Sequence, residues 1–475
     1  MRTSHTTILL IIGGILIQML LIRILLQSSV QSGILRVAFV PGETIMAHLS
    51  PYGPGFQREL VEHFCRDHQL SPSWVEVASP SSGLNALQRH KVDLLLYTGD
   101  PSFTRVPKGL VAGPVYQTDH PVILQNTWKQ GLLHPQEICD YSLPISRSPA
   151  IVSALDDLTQ VLHCPDVDLA SSASSLHTLL TDMTSRKIRF AVVGAGAFQL
   201  WQPFFPDIRP ALALHHHVVT RWIWNTRSHD LARDMTTFWQ DLLTSPVFNN
   251  LQARYYGFFP QHTDFYELSH LNTTLASKLP PYTAAIAHGA KTNGLDPLLV
   301  AAMIYQESHF NAKATSKTGV RGLLQISQTT ARELGISNRL DPRQSIQGGV
   351  TYLRSLIDRL QPLDMDVWNT LFFALAAYNQ GMGHLRDAMT LAQRLGKDAH
   401  SWQVLKEVFP LLSQKQYYQQ AAHGYCRGIE TVDYVDSIRY YYYYLTGLAR
   451  LARPQDKAVN LLAARNTVQE GPFAP

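Results

Sequence analysis

From Leu298 to Tyr305 the sequence is an unbroken apolar run, and it closes on Gln306-Glu307-Ser308. Asp296 is a good N-cap and Pro297 suits a first helical position, so a helix is predicted to start there. Counting back three, four and seven residues from Glu307 reaches Ile304, Met303 and Val300. Glu307 is therefore expected to project from the apolar face of its own helix. A carboxyl group held against apolar neighbours loses solvation in its charged form, and its pKa rises. A carboxyl that keeps its proton near neutrality can serve as a general acid. The plainer reading is a helix-terminal Glu turned to solvent, since buried unpaired carboxylates are rare.

Two later segments favour the first reading. Gly319-Val320-Arg321-Gly322-Leu323-Leu324-Gln325 is a glycine-punctuated turn, and Ala376-Ala377-Tyr378-Asn379-Gln380-Gly381 follows it. Each is weak alone. In this order after Glu307-Ser308 they resemble the catalytic domain of the soluble lytic transglycosylase family, a lysozyme-like fold. Ala301 to Asn311, Thr318 to Gly322, Phe373 to Asn379, Pro410 to Lys415, and Tyr434-Val435 with Ile438-Arg439 narrow the resemblance to a membrane-bound branch of that family. In that branch a solute-binding-like domain precedes the catalytic one.

The resemblance implies a mainly α catalytic domain over 263–453 that cleaves peptidoglycan glycan strands. Glu307 would be its single catalytic carboxylate. It would protonate the bridging oxygen after N-acetylmuramic acid, then take the proton of the sugar's own C6 hydroxyl as a 1,6-anhydro ring closes. Ser308 and Gln325 would hydrogen-bond N-acetyl groups or orient Glu307. Tyr378 and Asn379 would line the cleft, Tyr434 would hold Glu307, and Gly319 and Gly322 would let backbone approach the glycan. No metal or organic cofactor is implied. Two-carboxylate hydrolysis is the usual alternative for sugars, but Asp341, Asp364 and Asp366 read as turn or linker residues. The competing function is a periplasmic sensing protein that docks on the wall without cleaving it. Intact Glu307, Ser308, Gln325, Tyr378 and Asn379 argue against that. The apolar patterning of this half is complete, so a chain beginning near Tyr266 is expected to fold alone.

The preceding region alternates strands and helices. Ile34–Val40, Val92–Tyr97 and Ile188–Gly194 read as strands, and Phe56–Phe64 and Leu231–Leu243 as helices. Such alternation implies an α/β sheet. Gly33 to Val37, Val92 to Leu95, Ser102 to Arg105 and Gly113 to Tyr116 make 33–262 resemble a type-3 extracellular solute-binding domain. That implies a two-lobed, periplasmic-binding-protein-like fold. By resemblance Arg105, with Ser102 beside it, would clamp a ligand carboxylate, a task suited to a guanidinium fork. The position of the family's amine-binding Asp is occupied here by Gly194. A stem peptide or muropeptide is then a better ligand than a free amino acid, and a scaffold or regulatory role is the alternative.

A chain of 475 residues is too long for one core and fits two or three domains. With 45% hydrophobic and 16% charged residues it is globular, and a net charge of +4 gives no footing for a nucleic-acid partner. Residues 1–32 hold an apolar run from Ile8 to Ile22, interrupted by Arg23, that suits a secretory segment or an uncleaved membrane anchor. Export to a Gram-negative-type periplasm follows, and the resemblance adds peripheral association with the outer membrane. The four cysteines, Cys65, Cys139, Cys164 and Cys426, fit no metal spacing, and Cys139 and Cys164 either pair or stay as thiols. The five tyrosines at 440–444 read as a terminal helix packed on one side with the rest at a groove. Residues 454–475 read as a loose tail.

Overall fold

The computed structural model describes residues 33–42, 45–101, 106–127, 134–146, 158, 161–164, 175–260, 265–464, 466 and 471–473. The segment 1–32, Ser102 and Arg105 lie outside the described residues. Among those described, no helix is long and apolar enough to cross a membrane.

The first half contains β1 (Ile34–Phe39), α1 (Phe56–Asp67), β2 (Ser71–Glu76), α2 (Pro80–Gln88), β3 (Leu94–Gly99), β4 (Leu110–Ala112), β5 (Gln117–Asp119) and β6 (Pro121–Asn126). It continues with α3 (Leu176–Thr184), β7 (Phe190–Gly194), α4 (Ala195–Trp201), β8 (Ile208–Ala213), β9 (Val218–Asn225), α5 (His229–Thr244) and α6 (Pro246–Tyr256). The strands form two sheets rather than one. The first runs β2-β1-β3-β9-β4, with β5 also on β9, and the second runs β7-β6-β8. β1 is parallel to β2 and β3, whereas β9 returns antiparallel to β3. The chain leaves the first sheet between Asp119 and Pro121 and re-enters it between Ala213 and Val218. The two crossings lie side by side, with Leu214 N–H donating to Pro121 O at 3.0 Å. This is the two-lobed α/β architecture that was expected. In the second lobe Ile123, Phe190, Val192 and Leu162 form a separate small core, and Cys139 and Cys164 are joined by a disulfide.

The second half is helical: α7 (Phe265–Ser277), α8 (Thr283–Thr292), α9 (Pro297–Ser308), α10 (Gln328–Glu333), α11 (Pro342–Leu360), α12 (Val367–Gln380), α13 (Met382–Arg394), α14 (Trp402–Val408), α15 (Lys415–Tyr418), α16 (Gly428–Leu451) and α17 (Lys457–Ala463). α9 starts as expected. Asp296 Oδ1 accepts from Leu298 N–H at 2.7 Å, with Pro297 following. Every residue from Pro297 to Tyr305 is buried, so the helix has no polar face, and Glu307 emerges only at its end.

The tyrosine run departs from expectation. Tyr440 to Tyr444 are all buried, because α16 is a central helix walled on every side. Four of the five hydroxyls find partners on different sides of the helix: Tyr441 donates to Glu267, Tyr442 to Asp296, Tyr443 to Leu200 O and Tyr444 to Asn272. Much of that wall comes from the first half. Tyr52 O–H donates to Arg439 O at 2.6 Å, and its ring lies 5.0 Å from Trp368. Arg439 is 2% exposed and donates to Ala253 O at 2.7 Å and Arg254 O at 3.2 Å, the carbonyl end of α6, where a cation is favoured. The second half thus shares much of the buried surface around α16 with the first.

The tail is not loose where it is described. α17 buries Val459 and Leu462, Asn466 donates to Asp296 at 3.0 Å, and Phe473 is buried and bridges Leu295. It seals the start of α9.

Candidate active site

Four elements converge on Glu307. α9 brings the carboxyl to its C-terminal end. His309 (φ 46°) and Phe310 (φ 56°) then turn left-handed, which ends the helix and swings the chain away. α16 supplies Tyr434, whose hydroxyl donates to Glu307 Oε1 at 2.5 Å. Among the described residues this is the hydrogen bond to that carboxyl. α12 supplies Tyr378, whose hydroxyl donates to Leu324 O at 2.8 Å. The turn of residues 319–325 closes the group.

Glu307 is half-buried, but its carboxyl sits below the surface among atoms that strip its water. Desolvation raises its pKa from 4.5 to about 7, and the Tyr434 hydrogen bond pulls the other way. Tyr434 and Tyr378 are both pushed well above the usual phenol value, by burial first and then by the Glu307 charge. They remain neutral donors. Among the described residues, no second carboxylate joins them. Asp341 and Asp366 cap α11 and α12 through backbone N–H groups, and Asp364 sits in a left-handed turn. Glu267, which the sequence did not single out, is turned to the far side of α9. There it accepts from Tyr305 and Tyr441.

The other expected residues separate into those that build the turn and those at its rim. Ser308 Oγ donates to Ile304 O at 3.1 Å and Leu323 O at 2.9 Å, so it ties α9 to the turn. Gln325, left-handed at φ 43°, donates from Nε2 to Gly322 O at 2.7 Å and Ala314 O at 3.3 Å. Its amide N–H groups are spent on backbone. Gly322 has φ 85°, and a Cβ there would lie 1.9 Å from Arg339 O and 2.6 Å from Ser345 Oγ. Gly319 has φ 82° and faces open space. Asn379 is exposed at the end of α12, where its Oδ1 accepts from Gln380 at 3.1 Å. Thus Glu307, Ser308, Gln325, Tyr378 and Tyr434 form one connected set, with Asn379 and Gly319 at its edge.

Sequence reasoning missed three supports of the turn. Arg339 donates to Gly319 O and Ile326 O, both at 2.9 Å. Ser345, fully buried, accepts from Leu324 N–H at 3.3 Å. Gly349 leaves room for Leu324 and for the Tyr378 hydroxyl, which a Cβ would meet at 2.5 and 2.9 Å. The Gly348-Gly349 pair inside an otherwise regular helix was the available signal.

In the first half, Gly194 ends β7 and precedes α4. A Cβ at Gly194 would lie 2.9 Å from Asp119 Oδ2, so the space is already taken by a carboxylate. Asp119 accepts from His120 N–H and Gly196 N–H at 2.8 and 2.9 Å. Among the described residues, no group of three His, Cys, Asp or Glu side chains is placed to hold a metal ion.

The family model of the Transglycosylase SLT domain matches residues 284–401. That span holds Glu307, the turn and Tyr378. A match there, around one enclosed carboxyl on a buried helix, defines the class as a lytic transglycosylase with a mainly helical, SLT-type domain. The curated relatives carry the assignment further. Membrane-bound lytic murein transglycosylase F of Shewanella sediminis is 32% identical over 411 residues, 86% of this chain and 84% of that protein. Its namesake in Shewanella woodyi is 30% identical over 422 residues, 88% of this chain and 86% of that protein. The chain belongs to the membrane-bound lytic murein transglycosylase F family. Over the first half, ArgBP from T. maritima aligns at a TM-score of 0.38 and 11% identity, covering 47% of this chain and 96% of that one. At that score the likeness adds nothing to the lobed topology described above.

Proposed function

We propose that this lytic transglycosylase cleaves the β-1,4 bond between N-acetylmuramic acid and N-acetylglucosamine in peptidoglycan, with Glu307 as both acid and base. The observation that carries the reading is the enclosed Glu307 carboxyl, raised to about 7 by desolvation and held by the Tyr434 hydroxyl. Glu307 gives its proton to the glycosidic oxygen, and the C1–O bond breaks. The muramyl acetamido group shields the developing positive charge at C1. Glu307, now a carboxylate, removes the C6 hydroxyl proton as O6 bonds to C1. The products are a free N-acetylglucosamine end and a 1,6-anhydro ring, with no water consumed and Glu307 reprotonated. Tyr434 keeps one oxygen of the carboxyl fixed through both steps. Ser308 and Gln325 serve chiefly to shape the turn, since their donors are committed to backbone carbonyls. The Ser308 oxygen is left free to accept from an acetamido N–H.

The test is product mass. Anhydro products are one water lighter than hydrolysed ones, and a digest containing only the heavier species overturns the mechanism. For the first half the reading is a ligand-responsive module in the envelope, at the outer membrane's periplasmic face, with Ser102 and Arg105 holding a carboxylate of a stem peptide. Calorimetry with tripeptide and tetrapeptide stems on wild type and Arg105→Ala tests it. No heat from any stem in the wild type leaves that half as scaffold.

A further inference from the structure

α16 is a single helix of 24 residues, about 36 Å long. Near its start Tyr434 touches Glu307. Its far half is gripped by both lobes of the first domain. The first lobe holds it through Arg439 on the carbonyls of Ala253 and Arg254, and through Arg450 on the carbonyls of Ala47, His48 and Ser50. The second lobe reaches it with the segment after β7. Tyr443 O–H donates to Leu200 O at 2.6 Å, Phe204 stacks on Tyr444 at 5.2 Å, and Arg453 donates to Phe204 O at 3.2 Å. The approach is close at Gly447, where a Cβ would lie 2.2 Å from Phe204 Cζ. Phe204 is itself buried and stacked, so its ring has little room to yield.

We propose that Tyr443, Gly447 and Phe204 are positioning residues for glycan cleavage: the contact of the second lobe with α16 sets the axial and rotational seat of the helix, and so the reach of Tyr434 to Glu307. A glycine at 447 is otherwise costly, because in a helix interior glycine is less favourable than alanine. The close approach of Phe204 accounts for it. A helix moves as a rod, so a displacement at Gly447 is carried to Tyr434, thirteen residues and about 20 Å away. The Tyr434–Glu307 bond is 2.5 Å long, so a displacement of an ångström or more carries it past hydrogen-bonding distance. The inference rests on the roles proposed above for Glu307 and Tyr434.

The test is a bump and its matching hole in the full chain, read by kcat, KM and the pH–rate profile on purified sacculi. Gly447→Ala is expected to lower kcat by about tenfold or more, the scale of an ångström-level misplacement, with KM within about twofold. It should also move the basic limb of the profile upward, because Glu307 loses a hydrogen bond that favours its charged form. Adding Phe204→Leu, which vacates the space of Cζ, should restore both. Tyr443→Phe, which removes only the hydroxyl on Leu200 O, should shift the limb in the same direction and serves if Gly447→Ala does not fold. Wild-type kcat and profile in Gly447→Ala overturn the proposal. So does a loss of rate that leaves the limb in place or that Phe204→Leu does not reverse. Tyr434→Phe separates the two levels. If it leaves the limb unmoved, the site reading itself is wrong; if it moves the limb and Gly447→Ala does not, only this inference fails.

Discussion

Glu307→Gln should stabilise the protein and silence it, and the stabilisation should depend on pH. In the folded protein the Glu307 pKa is raised from 4.5 to about 7, with desolvation as the main cause. Below pH 4.5 the carboxyl is protonated whether the chain is folded or not, and the group costs nothing. As pH rises from 4.5 to about 7 the unfolded chain loses the proton and the folded one keeps it, so stability falls. Above about 7 the full cost is present. The difference between 4.5 and about 7 corresponds to on the order of 3 kcal/mol. Partial solvent contact at the cleft floor lowers this, so a gain of about 1–3 kcal/mol for the amide above pH 7 is the working figure. Glutamine keeps the shape and still accepts from Tyr434, but it cannot cycle a proton. Denaturant melts at pH 4.5, 6 and 8 on both proteins measure the gap, which should open between the first and the last. Release of soluble fragments from sacculi should fall at least about 100-fold, the lower range for losing a general acid–base. Parallel stability curves across that pH range would mean that the carboxyl is not desolvated, and the mechanism would lose its acid.

Three further outcomes follow from the geometry. Tyr434→Phe should raise the basic limb of the pH–rate profile by about one to two pH units, since a hydrogen bond to a charged group contributes about 1.5–3 kcal/mol; an unmoved limb refutes it. Gly322→Ala should destabilise by several kcal/mol, because the added Cβ meets Arg339 O at 1.9 Å and the residue has φ 85°; a melt within about 0.5 kcal/mol of wild type would contradict this. A chain truncated to residues 263–475 should be insoluble or bind a hydrophobic dye. It loses the cover that Tyr52, Phe204 and Phe258 give to α16, and each large side chain uncovered costs about 1.5–3 kcal/mol. A soluble, fully active fragment would show that the first half is dispensable.

The parts of the site that were legible in the sequence are those fixed by local rules. Asp296-Pro297 and the apolar run place α9, and the order of Glu307, the glycine turn and Ala-Tyr-Asn places the pieces around it. Roles were less legible than positions. Ser308 and Gln325 carry polar ends suited to a sugar, but whether such an end meets ligand or backbone depends on the fold of a turn. Here the carbonyls of Ile304, Leu323, Gly322 and Ala314 take them. Arg339 acts on that turn from the loop before α11, and Ser345 and Gly349 from α11 itself, at separations that no periodicity reports.

The tyrosine run shows where periodicity stops informing. Five consecutive aromatics point around the full circle of a helix, and a helix that is apolar all round is a buried one. The reading of a half-exposed terminal helix assumed that the catalytic half had to bury α16 by itself. One face of such a helix can be covered by α9 and α12, and the remaining faces then need another body. That body is the first domain: Leu200 O takes the Tyr443 hydroxyl, and Ala253 O and Arg254 O take the buried Arg439. An arginine at 2% exposure between domains is stable only because carbonyls and Asp436 compensate its charge. The second half therefore carries, in Arg439 and Tyr440 to Tyr444, the imprint of a partner encoded some two hundred residues earlier. The helix that supplies Tyr434 to the Glu307 carboxyl is thus completed by the first domain.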